Sequence, residues 1–267
     1  MQVVTLGPEG TYSHRAATAV SDDIAFRESV TNIVEAVEAG EHPRGVIPIE
    51  NSIEGSVTES LDALAEADVA VLREIVTPIR HALLAQRPDF ETVASHSQAL
   101  AQCREYLAAE YPNASLEAVA STARGVEIAR EDPTVAAIGH PQNATDNLQV
   151  IAEAIQDRTS NATRFFGIGP RETLDRAGGK SSFAVYPNTD YPGLLLELLQ
   201  PFADRDINLT RIESRPSGAR LGDYVFHIDI AAGLYEDRTQ DALADIEELA
   251  SNGWVKRFGS YDVEHVV

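Results

Sequence analysis

The chain has 267 residues, long enough for two domains with substantial cores, and its 43% hydrophobic content is that of a globular protein. A formal charge of −21 argues against nucleic-acid binding, which needs a basic footprint, and no apolar run approaches the roughly 20 residues of a membrane span. The single cysteine, Cys103, cannot form an intrachain disulfide. The run into Val3, Val4 and Leu6 lacks the basic start and apolar core of a signal peptide, so a cytoplasmic protein is expected.

In chain order, β-branched runs predict strands over 2–6, 24–27, 45–49, 69–75, 81–85, 117–120 and 135–138, with helical patterns over 12–20, 33–39, 98–110 and 123–130. This alternation predicts α/β architecture with mainly parallel strands. Two such series, one before and one after Pro78, predict two lobes. Gly178 and Gly179 mark a linker within Leu174–Lys180. Beyond it the order changes to strand 182–186, helix 193–204, strand 207–213, strand 224–230, helix 240–251 and strand 254–260. That βαββαβ order is ferredoxin-like and by itself assigns no function.

Four segments share one chemical pattern, in which a strand end leads through Gly, Ser, Thr or Asn into a helix. They are Gly7-Pro8-Glu9-Gly10-Thr11-Tyr12-Ser13, Glu50-Asn51-Ser52-Ile53-Glu54-Gly55-Ser56, Ser95-His96-Ser97-Gln98-Ala99-Leu100 and Ala120-Ser121-Thr122-Ala123. Helix starts expose unpaired N–H groups and the positive end of the dipole, and so attract anions. Capping explains each segment taken alone. Four together at strand C-termini fit the ligand edge of an open α/β sheet and predict a small-anion site. Two precede Pro78 and two follow it, so the ligand is expected between the lobes, where closure excludes water. A fifth segment, Asn161-Ala162-Thr163-Arg164-Phe165-Phe166, reads as a core strand or as a glycosylation sequon. The sequon reading fails for a cytoplasmic protein, and a core strand leaves the Thr163-Arg164 pair unexplained.

These segments resemble, in order, the successive motifs of the prephenate dehydratase family: Gly7 to Ser13, Pro48-Ile49-Glu50-Asn51-Ser52 with Gly55, Ser95 to Leu100, and Asn161-Ala162-Thr163-Arg164-Phe165. The C-terminal third resembles the family's regulatory ACT domain through Pro192-Gly193-Leu194-Leu195 and Glu213-Ser214-Arg215-Pro216. The resemblance implies an α/β protein with a two-lobed, periplasmic-binding-protein-like catalytic domain over 1–175 and a ferredoxin-like ACT domain over 181–267. Lobe 1 would take about 1–78 plus 158–175, and lobe 2 about 79–157. The implied activity is that of a lyase converting prephenate to phenylpyruvate in L-phenylalanine biosynthesis, with no cofactor or metal. Allosteric control by phenylalanine and a homodimer or homotetramer are implied too, with no nucleic-acid or membrane partner. The acidic composition, with lysine only at Lys180 and Lys256, resembles that of proteins from salt-loving archaea, where salt screens self-repulsion.

By this resemblance Thr163 matches the family's catalytic threonine, and it would donate a hydrogen bond to the departing hydroxyl oxygen as charge develops there. Arg164 could bind one substrate carboxylate. Asn51 and Gln98 match polar residues of the catalytic cleft. Glu50 is either a proton source, raised by burial beside a dianion, or a helix-capping carboxylate. Ser52, Thr11, Ser97, Ser121 and Thr122 are expected to meet substrate, although capping accounts for hydroxyls at such positions, and His96 reads as a helix-start residue rather than a base. Phenylalanine would bind between the Asn208-Leu209-Thr210 and Glu213-to-Pro216 region of one subunit and the Pro192–Leu195 turn of its partner. Gly193 lets the backbone approach at a helix start there; an ACT domain that only dimerises is the alternative.

Two positions depart from the family pattern. Leu194 stands where alanine is usual, and Gly125 where alanine is frequent, the latter costing its helix about 1 kcal/mol with no evident functional reason. Two rival readings remain: arogenate dehydratase, whose substrate carries an ammonium in place of the keto group, and a non-catalytic amino-acid sensor. Retention of Thr163-Arg164-Phe165 argues against the sensor.

Overall fold

The structure is a computed structural model that describes residues 1–158, 160–174 and 177–266. Its first elements are β1 (Val3–Leu6), α1 (Tyr12–Thr18), β2 (Ile24–Arg27), α2 (Val30–Glu38), β3 (Arg44–Asn51), β4 (Gly55–Ser56), α3 (Thr58–Glu66) and β5 (Val69–Pro78). Next come β6 (Ala82–Ala85), β7 (Thr92–His96), α4 (Ser97–Gln102), α5 (Arg104–Glu110), β8 (Ser115–Val119), α6 (Thr122–Glu131), β9 (Val135–Gly139), β10 (Gln149–Ala152) and β11 (Ala162–Pro170). The chain closes with β12 (Lys180–Tyr186), α7 (Leu194–Ala203), β13 (Leu209–Pro216), β14 (Tyr224–Ile230), α8 (Asp237–Leu249), β15 (Trp254–Tyr261) and β16 (Val263–His265). No helix among the described residues is long and apolar enough to cross a membrane.

Two compact units result: Met1–Leu6, Ala16–Val76 and Arg164–Val266 form the first, and Gly7–Arg15 with Thr77–Thr163 the second. The expected linker Leu174–Lys180 includes Asp175 and Arg176, which lie outside the described residues, as do the expected boundary at 175 and residue 267.

The second unit holds a five-stranded sheet ordered β10-β6-β9-β7-β8. β7 runs parallel to β8 and β9, as the α/β pattern predicts, but β6 is antiparallel to β9 and β10. The helix expected over 98–110 is two helices, broken at Cys103, whose φ of −115° leaves the helical range. Gly125, unexplained by the sequence, has a packing reason. A Cβ there would lie 2.6 Å from the Ala94 carbonyl oxygen, so only glycine lets α6 rest on β7 at this depth.

The first unit contains two sheets. One is ordered β16-β5-β11-β3-β1-β2 with β4 on β3, and the other is the antiparallel β13-β14-β12-β15. The second has the βαββαβ order that the sequence predicts. Its helix-side face packs Phe183, Val185, Ile228 and Ile230 against Leu194, Leu198, Phe202, Leu243 and Ile246 of α7 and α8. Its other face is buried too. Ala184, Val225, Phe258 and Tyr261 join one core with Val4, Ile47, Leu61, Leu64, Phe166 and Ile168. Helix α3, which the sequence pattern does not announce, supplies Leu61 and Leu64, spaced three apart on its buried side. At its C-terminus the Lys256 ammonium donates to the Ala65 and Ala67 carbonyls at 3.0 and 2.5 Å, meeting acceptors that the helix itself leaves unpaired.

On that second face strand alternation also points His227 inward. It is 1% exposed, stacks on Phe258 at 5.9 Å, and neither ring nitrogen has a hydrogen-bond partner. Burial, and then the charge of Arg211, hold its imidazole down at about 4. The unfolded chain takes up this proton first as pH falls, so the stability is complete above about 6.5 and is lost progressively toward about 4.

Two outcomes follow. Gly125→Ala gains helix propensity yet lowers stability by about 1–3 kcal/mol in denaturant titration, because the methyl meets strand backbone. His227→Leu flattens the loss of stability between about pH 6.5 and 4 by up to roughly 3 kcal/mol, read from melts across that range.

Candidate functional site

The five expected residues at helix starts of the second unit fall where the sequence places them. Strands β7 and β8 run parallel in register, Ser95 opposite Ala118 and His96 opposite Val119, so they deliver Ser97-Gln98 and Ser121-Thr122 to one sheet edge. Ser97 and Gln98 are exposed at the start of α4, where the His96 ring accepts from the Gln98 N–H at 3.4 Å. His96 is therefore the cap expected of it. Ser121 caps α6, accepting from the Arg124 N–H at 3.0 Å, and Thr122 is its first helical residue. Thr11 donates to the Pro8 carbonyl at 3.0 Å and accepts from the His14 N–H at 3.2 Å, which organises the start of α1. Thr163, the second residue of β11, is half-buried and closes the Thr77–Thr163 segment of this unit.

The first unit holds Glu50, Asn51, Ser52 and Arg164. Asn51 ends β3, and its side-chain carbonyl accepts from the Ile53 and Glu54 N–H groups at 2.9 and 3.2 Å, forming the turn into β4. Ser52 is exposed in that turn. Strand β11 lies beside β3, and the Glu50 carboxylate stands 3.7 Å from the Arg164 guanidinium, with its side chain 36% exposed. Glu50 thus faces a cation.

Arg164 is the most heavily engaged side chain among the described residues. It donates from Nε to Glu74 at 2.7 Å, from Nη1 to Asp229 at 2.6 Å and from Nη2 to the Tyr261 hydroxyl at 3.3 Å, and it lies 4.7 Å over the Phe166 ring. Glu74 also takes Lys180 at 2.7 Å; Asp229 also takes Arg211 at 2.9 Å and the Ser182 hydroxyl. Asp229 is fully buried and Glu74 nearly so. Burial alone would push the Asp229 carboxyl up, but Arg164 and Arg211 overcome it and hold it below its ordinary range. Burial would likewise lower Arg164, and Asp229, Tyr261 and Glu74 outweigh it. Burial, followed by Asp229, pushes the Tyr261 phenol well above its ordinary value. The guanidinium expected to meet a ligand carboxylate is thus committed to two buried protein carboxylates.

The expected effector residues divide by strand alternation. On β13, Glu213 and Arg215 are partly buried, while Thr210, Ser214 and Pro216 are exposed. Glu213 accepts from the Ser56 hydroxyl at 3.1 Å, and Arg215 forms a bidentate pair with Asp62 of α3 at 2.8 and 3.1 Å. Asn208 is exposed and Leu209 half-buried beside them. Gly193 starts α7 with φ +102° and open space around it, a conformation that strains any L side chain. Leu194 packs into the helix-side core, 6% exposed, so its added bulk relative to alanine is absorbed there, whereas Leu195 is 41% exposed.

Glu74, Asp229, Tyr261, Lys180, Arg211 and Ser182 were not singled out by the sequence. A signal exists for two of them. Glu74 and Asp229 are lone acidic residues inside largely apolar strands, Val-Leu-Arg-Glu-Ile-Val and Phe-His-Ile-Asp-Ile, and a buried carboxylate needs a partner.

Comparison with known proteins accords with this architecture. The prephenate dehydratase family model matches residues 3–173, and the ACT domain model matches 188–248. A prephenate dehydratase of Methanocaldococcus jannaschii is 38% identical over 269 residues, spanning 96% of this chain and 96% of that protein. A bifunctional chorismate mutase/prephenate dehydratase of Aquifex aeolicus is 37% identical over 268 residues, 98% of this chain and 73% of that protein. The crystal structure of a prephenate dehydratase from Arthrobacter aurescens in complex with L-Phe has a TM-score of 0.88 at 36% identity, covering 98% of this chain and 90% of that one. In sequence, α/β fold and C-terminal ACT domain alike, the chain belongs to the prephenate dehydratase family.

Proposed function

We propose that the protein is a prephenate dehydratase, a carbon–oxygen lyase that converts prephenate, by loss of carbon dioxide and of the ring hydroxyl as water, to phenylpyruvate. Family identity across nearly the whole chain, with Thr163-Arg164-Phe165 intact, carries this reading. Aromatisation of the ring supplies the driving force. The departing oxygen must gain one proton on leaving, so the protein's task is to hold a dianion and stabilise charge as it develops on that oxygen.

Thr163 is assigned the hydrogen bond to the leaving oxygen. Glu50 is assigned the proton that completes water, and its 36% exposure keeps that carboxyl open to solvent. Asn51, Gln98, Ser52, Ser97, Thr11, Ser121 and Thr122 are assigned to the substrate's oxygens. Hydroxyl and amide donors, five of them at helix starts, bind an anion without added positive charge, which matters in a chain of formal charge −21. Arg164 holds protein rather than substrate.

The C-terminal βαββαβ region is assigned to L-phenylalanine as effector, in a cytoplasmic homodimer or homotetramer. The division into a catalytic domain ending near 175 and an ACT domain from about 181 follows the family pattern. A salt-loving archaeal source is proposed from the charge of −21 and the scarcity of lysine.

The parent should release phenylpyruvate from prephenate with a higher kcat/KM than for arogenate. Thr163→Ala should lower kcat by about 10²–10³-fold with little change in KM, and Thr163→Ser should recover much of the loss; a folded Thr163→Ala enzyme with parental turnover removes the assignment. Raising KCl from about 0.1 M to about 2 M should raise the melting temperature, because screening relieves self-repulsion; an unchanged or lower value argues for an ordinary acidic protein.

A further inference from the structure

The charged cluster around Arg164 gathers parts with separate roles. Arg164 follows Thr163 on β11, Glu74 stands on β5, and Glu50 of the second motif stands on β3. The remaining members, Lys180, Ser182, Arg211, Asp229 and Tyr261, all come from the C-terminal sheet. Three cations, Arg164, Lys180 and Arg211, meet three carboxylates, Glu74, Asp229 and Glu50. Such a network adds little net stability over an apolar contact of the same volume. What it does supply is a single geometry, because the planar guanidinium fork accepts its partners in fixed directions.

Fixing the Arg164 side chain at three points fixes the register of the backbone beside it, and the adjacent residue is Thr163. Asp229 is the hub on the regulatory side. It is 0% exposed and binds Arg164 and Arg211 together, and Arg211 stands on β13, the strand whose Glu213 and Arg215 are tied to Ser56 and Asp62. Any displacement of β13 therefore reaches Arg164 through one carboxylate.

We infer that Asp229 is a positioning residue for the dehydration: through the Arg164 guanidinium, the C-terminal sheet sets the place of the Thr163 hydroxyl. The inference rests on the proposed prephenate dehydratase activity. It assigns the coupling between regulatory sheet and reaction to direct bonds, with Tyr261 as the supporting donor–acceptor between Arg164 and Ser182.

The test uses the full chain, steady-state kinetics on prephenate, and the parent, Asp229→Asn, Thr163→Ala and their double variant. A displacement of less than an ångström at a reacting group is enough to cost about tenfold in rate. Asp229→Asn is therefore expected to lower kcat about tenfold with KM within about twofold, in protein that still melts cooperatively. In the Thr163→Ala background the same substitution is expected to cost less than about twofold, because its effect passes through the missing hydroxyl. A merely structural carboxylate would lower stability without that background dependence. The inference is overturned if folded Asp229→Asn keeps parental kcat, or if it lowers kcat by the same factor in both backgrounds. Should Asp229→Asn fail to fold, Tyr261→Phe, which deletes one hydroxyl from the cluster, carries the same comparison with an expected loss of about threefold in the parent background alone. A parent without turnover on prephenate would instead refute the proposed function, a result distinguishable from either of these.

Discussion

A guanidinium buried as deeply as that of Arg164 must bring its counter-charges with it, and this requirement shapes the first unit. Glu74 interrupts an apolar strand to reach it, and Asp229 does the same from β14. Each carboxylate then needs a second cation, so Lys180 and Arg211 follow. Ser182 and Tyr261 occupy the remaining donor and acceptor directions. The C-terminal sheet is thereby joined to the α/β sheet by a polar knot set inside an apolar seam of Ala184, Val225 and Phe258. The apolar residues supply the burial; the charged ones specify the register.

The same seam explains why a small regulatory fold is buried on both faces. Its helix-side core alternates with the seam along each strand: Phe183 and Val185 against Ser182 and Ala184 on β12, Ile228 and Ile230 against His227 and Asp229 on β14. A slip of one residue would carry Asp229 into the aliphatic layer and Ile228 onto Arg164, which is prohibitive in either direction. The register of this sheet and the hold on Arg164 are therefore specified by the same residues.

Much of this was legible in the sequence. Period-two alternation on β12 and β14 and the helical period of α7 and α8 place the βαββαβ region, and Ser121 caps the helix its position predicts. Local signals failed where the cause lies across the chain. β7 has only Val93 and Ala94 as fully apolar residues and is a strand because β8 and β9 flank it. Gly125 has no meaning until α6 is laid on the Ala94 carbonyl. Arg164 reads naturally as a ligand-binding arginine, because nothing near it in sequence reveals that Glu74 and Asp229, 90 and 65 residues away, have already claimed it.

The chain's two lysines, Lys180 and Lys256, serve as fastenings, one on Glu74 and the other on the last carbonyls of α3. Each spans from the C-terminal sheet to an element of the α/β core, and neither ammonium stands free of its acceptors. Amine-directed chemistry on the native protein would thus find the α-amino group far more readily than either side chain. Acylation at Lys180 or Lys256 would then mark molecules in which the two sheets have parted, giving a covalent record of how often this seam opens.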